Sequence, residues 1–581
     1  MNTSTAKLMR CTFVCATMMV LLFTTVLHAQ STSPGTTTTT TDTTGSTSTT
    51  TSTFTTFTTT DTTTTTASDA GVDTSLPAGV STAAQVFDPG PRPGAPTSGA
   101  GHPIENMPIE QTTFWVDGLI KFGTTVTPKG ANDSSGNPTL FGLGPSFNGE
   151  SCLQCHSQPN IGGTSPQNNP QFTAASDHGA TNTVPIFLST NGPIREARFV
   201  QNADGSLDGG VHELFTIQGR DDAPAGCQIS QPDFQTQVNN NNVIFRIPIA
   251  TFGEGFVENT TDQAFQANLA SLAGSKVKRG IRGRFNTNGN DGTVTKFGWK
   301  AQNKSMLLFA GEAANVELGM TNEIFTNEKT VGKGCTPNFT PEDNTHVIVP
   351  VPPPNSTSPA GDDASEISSN IENFAIFMRL NAPANQCDFQ SGQDSSGNAL
   401  CNPLGASARN GKAIFGTLIP QVVNGVVQPP KIGIGCVLCH ADTFTTNTSN
   451  IPQLSNVRFA PFSDYALHHM GSNLTDGVNQ GVAGPDEFRS APLWGIGQRI
   501  FFMHDGRDSN IVQAILDHES PGNVCTTVNS VSETITLNGQ PKSIPSKSTQ
   551  TCGSEANAVI EKFRTLTTSQ KQDLIDFLRS L

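Results

Sequence analysis

The side chains best suited to chemistry lie in two five-residue runs, Cys152-Leu153-Gln154-Cys155-His156 and Cys436-Val437-Leu438-Cys439-His440. A C-x-x-C-H run is the attachment signature of c-type haem, in which both thiols bond to the porphyrin and the histidine binds the iron. A structural zinc site would need a second Cys/His pair at matching spacing near each run, and neither run has one. A redox-active C-x-x-C pair would not require the following histidine twice. The sequence therefore predicts two covalently bound haem c groups, with His156 and His440 as iron ligands.

Helical patterns precede both runs and predict the elements that position them. Phe114, Gly118 and Phe122 lie at helical spacing before the first run, and residues 408–415 repeat this pattern before the second. A helix of this kind is how a cytochrome c domain begins, so we expect two cytochrome c-like haem domains. The chain has 55 Gly and 38 Pro, and only 14% of its residues are charged. This composition favours a mainly α fold with long loops and a few short β-strands.

Other segments with clear periodicity complete the predicted architecture. Residues 243–248 are predicted as a strand, residues 305–314 as a helix, residues 367–378 as an amphipathic helix and residues 562–581 as a terminal helix. The Pro-rich stretch 331–364 separates the two halves. We therefore predict an N-terminal haem domain at 108–345 and a C-terminal cytochrome c-like haem domain at 365–581.

The N-terminal region has the pattern of an exported protein. Residues 1–29 read as a secretory signal peptide, since Lys7 and Arg10 precede an apolar run that is short for a membrane span. Residues 30–107 are Thr-rich and then Pro/Gly-rich, which predicts a disordered linker. No later run is apolar enough to cross a bilayer. We expect a periplasmic or otherwise exported protein with no transmembrane span after signal removal.

Charge and cysteine usage agree with export. The formal net charge of −15 argues against nucleic acid and anionic membranes as partners. Six cysteines remain outside the signal peptide and the two haem runs, an even number that suggests three disulfides in an oxidising compartment. Cys387–Cys401 and Cys525–Cys552 are the economical local pairs, which leaves Cys227–Cys335. Fifteen connectivities are open to six cysteines.

Several long blocks in the same order give the chain a family resemblance over roughly residues 108–581. These blocks are residues 142–148 with the first haem run, 210–220, 297–302, 461–471, and 487–489 through 505–507. The chain resembles the bacterial di-haem oxidoreductases, a family described in terms of peroxidase or thiol oxidoreductase activity. That family is distantly related to the dihaem cytochrome c peroxidases.

The resemblance implies sixth ligands for the two irons. In the dihaem peroxidases a segment like residues 503–507 leads into a helix, and the sixth ligand of the C-terminal haem follows fourteen positions after its histidine. The matching residue here is His518, which would give bis-histidine ligation and a lower reduction potential than the usual methionine. For the first haem, His178 is one candidate and His212 is its rival. If neither binds, this iron is open and is the natural catalytic centre.

The resemblance also implies catalytic residues and partners. Arg220 and Gln228 are the candidates for polarising a bound peroxide, with Glu254 or Glu258 behind them. Trp299 and Trp494 are candidates for relaying electrons between the haems. Related peroxidases hold a Ca2+ between their domains, although no Asp-rich loop of recognised spacing occurs here.

The predicted function is that of an exported dihaem oxidoreductase. Electrons would come from a small redox protein or another donor, enter at a low-spin C-terminal haem, and pass to an N-terminal haem that reduces peroxide or a similar small-molecule oxidant. Two alternatives stay open at this point: a dihaem electron carrier without chemistry of its own, and a thiol oxidoreductase.

Overall fold

The helices of the computed structural model are short and are joined by long loops. The structure describes residues 86–91, 100–128, 130, 139–174, 183–217, 225–337, 340–344, 368–384, 405–423, 426–523, 531–537, 540–546 and 553–581. The helices in these ranges are α1 (Ile109–Gly123), α2 (Cys152–Cys155), α3 (Gln171–Ala174), α4 (Phe234–Asn239), α5 (Glu254–Glu258), α6 (Asp262–Ala270), α7 (Ala273–Lys278), α8 (Met306–Leu318), α9 (Asn370–Leu380), α10 (Ala406–Phe415), α11 (Gly471–Leu474), α12 (Ile511–Leu516), α13 (Asn557–Thr565) and α14 (Thr568–Ser580). Three 3-10 helices span Cys436–Leu438, Pro452–Leu454 and Ile496–Gln498.

The described strands form small sheets of two or three strands each. The strands are β1 (Val126–Thr127), β2 (Leu140–Phe141), β3 (Ser146–Phe147), β4 (Glu196–Phe199), β5 (Val211–His212), β6 (Phe215–Thr216), β7 (Val243–Arg246), β8 (Gln421–Val423), β9 (Val426–Gln428), β10 (Phe444–Thr445), β11 (Arg458–Phe459), β12 (Leu467–His469), β13 (Glu487–Arg489), β14 (Val531–Leu537) and β15 (Gln540–Ser546). The largest sheet has the antiparallel order β5-β4-β7, while β1 and β2 pair in parallel. The prediction of a mainly helical fold with long loops and short strands is confirmed.

A glycine lets α1 cross α9 at close range beside the first haem run. A Cβ atom on Gly118 would lie 2.6 Å from the carbonyl oxygen of Asn373 and 2.8 Å from the Cβ of Phe377. One turn later, Phe122 packs on Phe377 with ring centroids 4.7 Å apart, and it meets the ring of His156 at 6.1 Å. The predicted pattern of Gly and Phe before the run therefore serves helix packing behind the histidine.

The same arrangement recurs at the second haem run, between α10 and α14. A Cβ on Gly411 would lie 1.9 Å from the carbonyl oxygen of Asp573. Phe415 packs on Phe577 at 5.4 Å and meets the ring of His440 at 6.4 Å. Each haem run thus has its own glycine-mediated helix pair, with a phenylalanine that links the pair to the histidine of the run.

Helix α9 lies after the predicted domain boundary, yet its contacts are with the first half of the chain. Ser369 and Glu372 form a capping box at its start, and Asp343 accepts bonds from the first two amides of the helix. Its buried face packs on α1, α8 and α5. The helix predicted at 367–378 is present, and its partners all lie before the predicted boundary.

Two further predictions change at the ends of the chain. The helix predicted over 562–581 is two helices, α13 and α14, because Thr567 and Gln570 form a capping box that starts α14 afresh. The predicted linker 30–107 extends too far, since residues 86–91 and 100–107 pack on the folded part. Asp88 pairs with Arg579, both side chains being 3% exposed, and accepts a bond from the Ile511 amide at the start of α12.

One disulfide joins Cys227 to Cys335, the long-range pair of the predicted scheme. The four cysteines of the two local pairs lie outside the described residues. Within the described ranges, no helix has both the length and the apolar character needed to cross a membrane.

Candidate haem-binding sites

The first haem run forms a short helix that presents its histidine on a rigid turn. Ser151 caps α2 by accepting a bond from the Gln154 amide. The Nδ1 of His156 lies 3.0 Å from the carbonyl oxygen of Gly163, so Nδ1 donates its proton and the lone pair of Nε2 is left for a metal. Burial lowers the pKa of His156 and so keeps the ring in the neutral form that binds iron.

A cavity of about 150 Å³ opens beside this run. Both thiols and His156 line it, and burial raises the pKa of the Cys152 thiol to about 12. The remaining wall is formed by α8, by the start of β4, by residues 246–249 at the end of β7, and by α9, and much of it is apolar. Apolar walls with a few polar groups are the composition of a cofactor pocket.

The polar side of this cavity suits the carboxylate groups of a haem. Arg195, Arg198 and Arg246 line it, and the Nε atoms of Arg195 and Arg246 are buried without a hydrogen-bond partner among the described residues. Arg198 pairs with Glu196, and Arg246 pairs with Asp476 at 2.8 Å. Two thiols, a neutral histidine, apolar walls and guanidinium groups with two unpartnered Nε atoms fit one covalently attached haem, whose propionates the arginines would hold.

His156 is the one histidine among the described residues that line this cavity. His178 lies outside the described residues. His212 is placed elsewhere: its ring stacks on Phe199 at 3.7 Å, and its Nε2 lies 2.9 Å from Asp208. Met378 lines the cavity and is 3% exposed. The sixth position of the first iron therefore has no second histidine in the part of the wall that the structure describes.

Of the predicted catalytic residues, Gln228 and Trp299 lie apart from each other. Arg220 lies outside the described residues. Gln228 is exposed beside the disulfide, pairs with Lys333 through its backbone and does not belong to the described lining of the cavity. Trp299 lines the cavity, and its Nε1 donates to the carbonyl oxygen of Ile247 at 2.9 Å. Of the three, only Trp299 is brought to the first haem run among the described residues.

Glu317 is a cavity residue that sequence reasoning missed. Its Oε2 accepts a bond from the Nδ2 of Asn148 at 2.9 Å, and it lies close enough to both thiols for its charge to raise their pKa values. Glu317 lines the cavity and is half-buried. Burial raises the pKa of Glu317 well above its ordinary value, and the charge of Glu196 adds to this rise. At neutral pH this carboxyl group therefore retains its proton.

The second haem run places His440 opposite His518. The Nδ1 of His440 lies 3.0 Å from the carbonyl oxygen of Phe462, and that of His518 lies 2.7 Å from the carbonyl oxygen of Ala514. The two ring centroids are 6.4 Å apart, with the ring planes at 66°. A metal–imidazole bond is about 2 Å long, so two imidazoles on opposite sides of one iron have centroids about 6 Å apart. The pair fits bis-histidine ligation.

The surroundings of this pair are mostly apolar. An apolar cluster that includes Ile414, Phe462, Phe502, Phe563 and Phe577 encloses the run, and Cys436 and Cys439 pack against it. Burial lowers the pKa of His440 to about 4, and the neighbouring His518 adds to the decrease. The neutral rings are in the protonation state that an iron ligand needs.

His468 and His469 lie near the second run, but their rings pair with carboxylates. His468 lies between Glu555, 2.8 Å from its Nδ1, and Asp464, 3.2 Å from its Nε2. His469 pairs with Asp486 at 3.1 Å. Each ring is held within protein ion pairs, so neither needs a haem to satisfy its nitrogen atoms.

A smaller cavity of about 10 Å³ lies next to the first site. Both tryptophans predicted to relay electrons, Trp299 and Trp494, line it. Gln158, two residues after His156, bonds the carbonyl oxygen of Gln498 at 2.8 Å across this region. Because Trp299 borders both cavities, it is better placed than Trp494 for the predicted electron relay.

No group of three or more His, Cys, Asp or Glu side chains gathers into a metal site within the described ranges. The Ca2+ that the resemblance implied stays a prediction. The two-ligand arrangement at His440 and His518, and the thiol-lined cavity at His156, are instead two candidate haem-binding sites.

The comparison with known families agrees with two such sites. Residues 424–533 match the family model described as "Di-haem oxidoreductase, putative peroxidase". The matched segment contains the second haem run and His518. The predicted resemblance to this family is confirmed for that segment. No curated protein and no solved structure matched the chain.

Removing one pair of thiols tests how haem is attached. The double variant Cys152→Ala/Cys155→Ala should carry one covalent haem instead of two, because no thiol then remains in the first run. Intact-protein mass and the pyridine haemochrome spectrum measure this. Cys436→Ala/Cys439→Ala should also retain one haem, while the control Cys227→Ala/Cys335→Ala should retain two. Two covalent haems in either haem-run variant would refute the assignment.

Proposed function

We propose that this chain is an exported dihaem c-type cytochrome oxidoreductase. In this proposal, electrons from a small redox protein enter at the second site and reduce peroxide or a similar small oxidant at the first. The observation that carries the proposal is the difference between the two sites. His440 has His518 opposite it at 6.4 Å, whereas His156 faces a cavity that holds carboxyl and guanidinium groups.

The bound haems would supply the redox chemistry, and the side chains would control where it occurs. His440 and His518 together would hold a haem suited to electron transfer. His156 alone would hold a haem able to take up a small oxidant. Arg195, Arg198 and Arg246 provide positive charge for propionates or for a developing anion. Trp299, which borders the cavity at His156 and the smaller cavity beside it, is suited to connect the two sites.

Reduction of peroxide to water consumes two electrons and two protons, so the first site needs a proton source. Glu317 meets this need because its carboxyl group stays protonated at neutral pH inside the cavity. Its hydrogen bond from Asn148 fixes the carboxyl group in place. We propose that Glu317 holds and delivers a proton to the oxidant.

Export rests on three supporting observations. The sequence has a signal-peptide pattern at residues 1–29, which lie outside the described residues. The Cys227–Cys335 disulfide suits an oxidising compartment. The third is the pair of C-x-x-C-H runs, because we expect a protein that carries haem c to be exported.

Glu317→Gln should lower peroxide turnover by roughly 100-fold, since removing a positioned proton donor typically costs 100-fold or more. The assay is peroxide-dependent oxidation of a reduced small cytochrome. Wild-type turnover should also fall on the alkaline side of neutrality as Glu317 loses its proton, and this pH dependence should be absent from the variant. Glu110→Gln, on the exposed face of α1, is the matched control.

Two outcomes would contradict this function. Wild-type turnover in Glu317→Gln would remove the proton role of that residue. An absence of peroxide turnover in a protein whose two haems both exchange electrons with the donor would favour the dihaem electron carrier.

A further inference from the structure

Three buried polar atoms without partners belong to side chains close enough for their charges to shift one another's pKa values. They are the Oε2 of Glu254, the hydroxyl of Tyr465 and the Nη1 of Arg489, and none has a hydrogen bond within the described residues. The three residues are 4%, 0% and 3% exposed. A buried polar atom left unpaired is destabilising, so unpaired atoms on three neighbouring side chains call for a bound water or a functional role.

The backbone around Tyr465 is connected to the second haem site. The carbonyl of Phe462 accepts a hydrogen bond from the Nδ1 of His440, and the amide of Asp464 donates to the carbonyl of Cys439 at 2.8 Å. Phe462 belongs to the apolar cluster around the second run, whereas Tyr465 belongs to the cluster around the first. The four residues 462–465 therefore carry the chain from one haem core to the other.

Arg489 is connected to the first haem site. Its amide donates to the carbonyl of Trp299 and its Nε donates to the carbonyl of Gly298, each at 2.9 Å. Both acceptor residues line the large cavity beside His156. The guanidinium carbon lies 5.3 Å from the centre of the Tyr465 ring. Tyr465 thus lies between residues 462–464, which contact the second haem run, and the wall of the cavity beside His156.

The electrostatics of the cluster suit movement of a proton with an electron. Burial raises the pKa of Tyr465 well above its ordinary value, so the phenol is neutral at rest. Burial also raises the pKa of Glu254 to about 7; the charge of Arg489 opposes this rise and that of Glu258 adds to it. An oxidised phenol is strongly acidic and needs a nearby base to take its proton. Glu254 is the carboxyl group placed for that purpose.

We propose that Tyr465, Glu254 and Arg489 form a proton-coupled electron relay between the two haem sites, a role that rests on the proposed dihaem function. In this relay Tyr465 would give one electron to the oxidised first site and its phenolic proton to the Glu254 carboxylate through a bridging water. One electron from the second site and the same proton then restore the phenol. Arg489 positions the ring and balances the charge of Glu254.

The sequence allows a direct test because Tyr465 is the only tyrosine in the chain. The holoprotein is oxidised by photogenerated ruthenium(III) trisbipyridine, which removes one electron and needs no peroxide. Electron paramagnetic resonance should show a tyrosyl radical in the wild type and none in Tyr465→Phe. This variant should fold normally, because the hydroxyl that it lacks has no partner.

Two further variants test how the relay works. Glu254→Gln should slow radical formation by roughly 100-fold, as expected when a positioned proton acceptor is removed. Wild-type radical formation should accelerate as the pH rises through about 7, and the rate in Glu254→Gln should not depend on pH in this range. Trp299→Phe, which alters the competing relay candidate, should retain the tyrosyl signal.

The relay is refuted if the oxidised wild type shows no protein radical or a tryptophan radical alone, or if Tyr465→Phe retains the signal. An unchanged rate in Glu254→Gln removes the proton acceptor and with it the proposed mechanism. Because the oxidant is not peroxide, failure of the peroxidase assay leaves these outcomes readable, and the two proposals can fail separately.

Discussion

His518→Ala should convert the haem of the second site from low spin to high spin and leave the first haem unchanged. The reason is geometric: the rings of His440 and His518 lie 6.4 Å apart, the separation that one iron between two imidazoles requires, and each Nδ1 is occupied by a carbonyl. Alanine removes one strong ligand completely. Optical and electron paramagnetic resonance spectra of the oxidised protein measure the change, which should affect one haem of the two.

Two further variants, a ligand replacement and a control, test the same assignment. His518→Met should stay low-spin and have a higher reduction potential, because thioether stabilises ferric iron less than imidazole does. His212→Ala removes a ring that pairs with Asp208 and lies away from both haem runs. The spectrum of this variant should therefore match that of the wild-type protein. Unchanged spectra in His518→Ala would show that another group binds the second iron.

Gly411→Ala should destabilise the second haem unit by up to about 2 kcal/mol. The added Cβ would lie 1.9 Å from the carbonyl oxygen of Asp573 and 2.7 Å from the Cβ of Phe577, so α10 and α14 must move apart. Overpacking of this kind costs about 1–3 kcal/mol or more, and the higher helix propensity of alanine returns about 1 kcal/mol at most. Denaturant unfolding followed by circular dichroism and by the haem absorbance gives the free energy of unfolding.

The control is Gly405→Ala, at the start of the same helix. A Cβ there meets nothing within 4 Å, and the backbone φ of −58° is open to any residue. This change should leave stability nearly unaffected. Equal stability of Gly411→Ala and Gly405→Ala would mean that the α10–α14 crossing does not limit the second unit.

The sequence predicted the parts of the sites that depend on local spacing. The haem runs, the helices before them and the strand at 243–246 all follow from short patterns, and His518 followed from spacing within a resembling segment. Glu317 and the three arginines could not be found in this way. Asn148 and Glu317 are 169 positions apart, and only the folded chain brings the two side chains together.

The errors at the chain ends also have physical causes. Apolar periodicity runs through residues 563–578, which favoured one helix, and the Thr567–Gln570 capping signal was given too little weight. The Pro-rich stretch before α9 suggested a boundary, but the buried face of that helix fits α1 better than anything that follows it. Which partner a helix chooses depends on surface shape, and one sequence does not reveal this.

The Asp88–Arg579 pair has a consequence for the order in which the protein matures. Its two members are 491 positions apart, and a chain is made and delivered with its N-terminal side first. Asp88 must therefore wait for nearly all of the described chain before it can bind Arg579 and support the start of α12. Both C-x-x-C-H runs emerge long before this closure. If the runs bind haem as proposed, attachment can take place while the second site is still open, and the helix that leads to His518 gains its last anchor only afterwards.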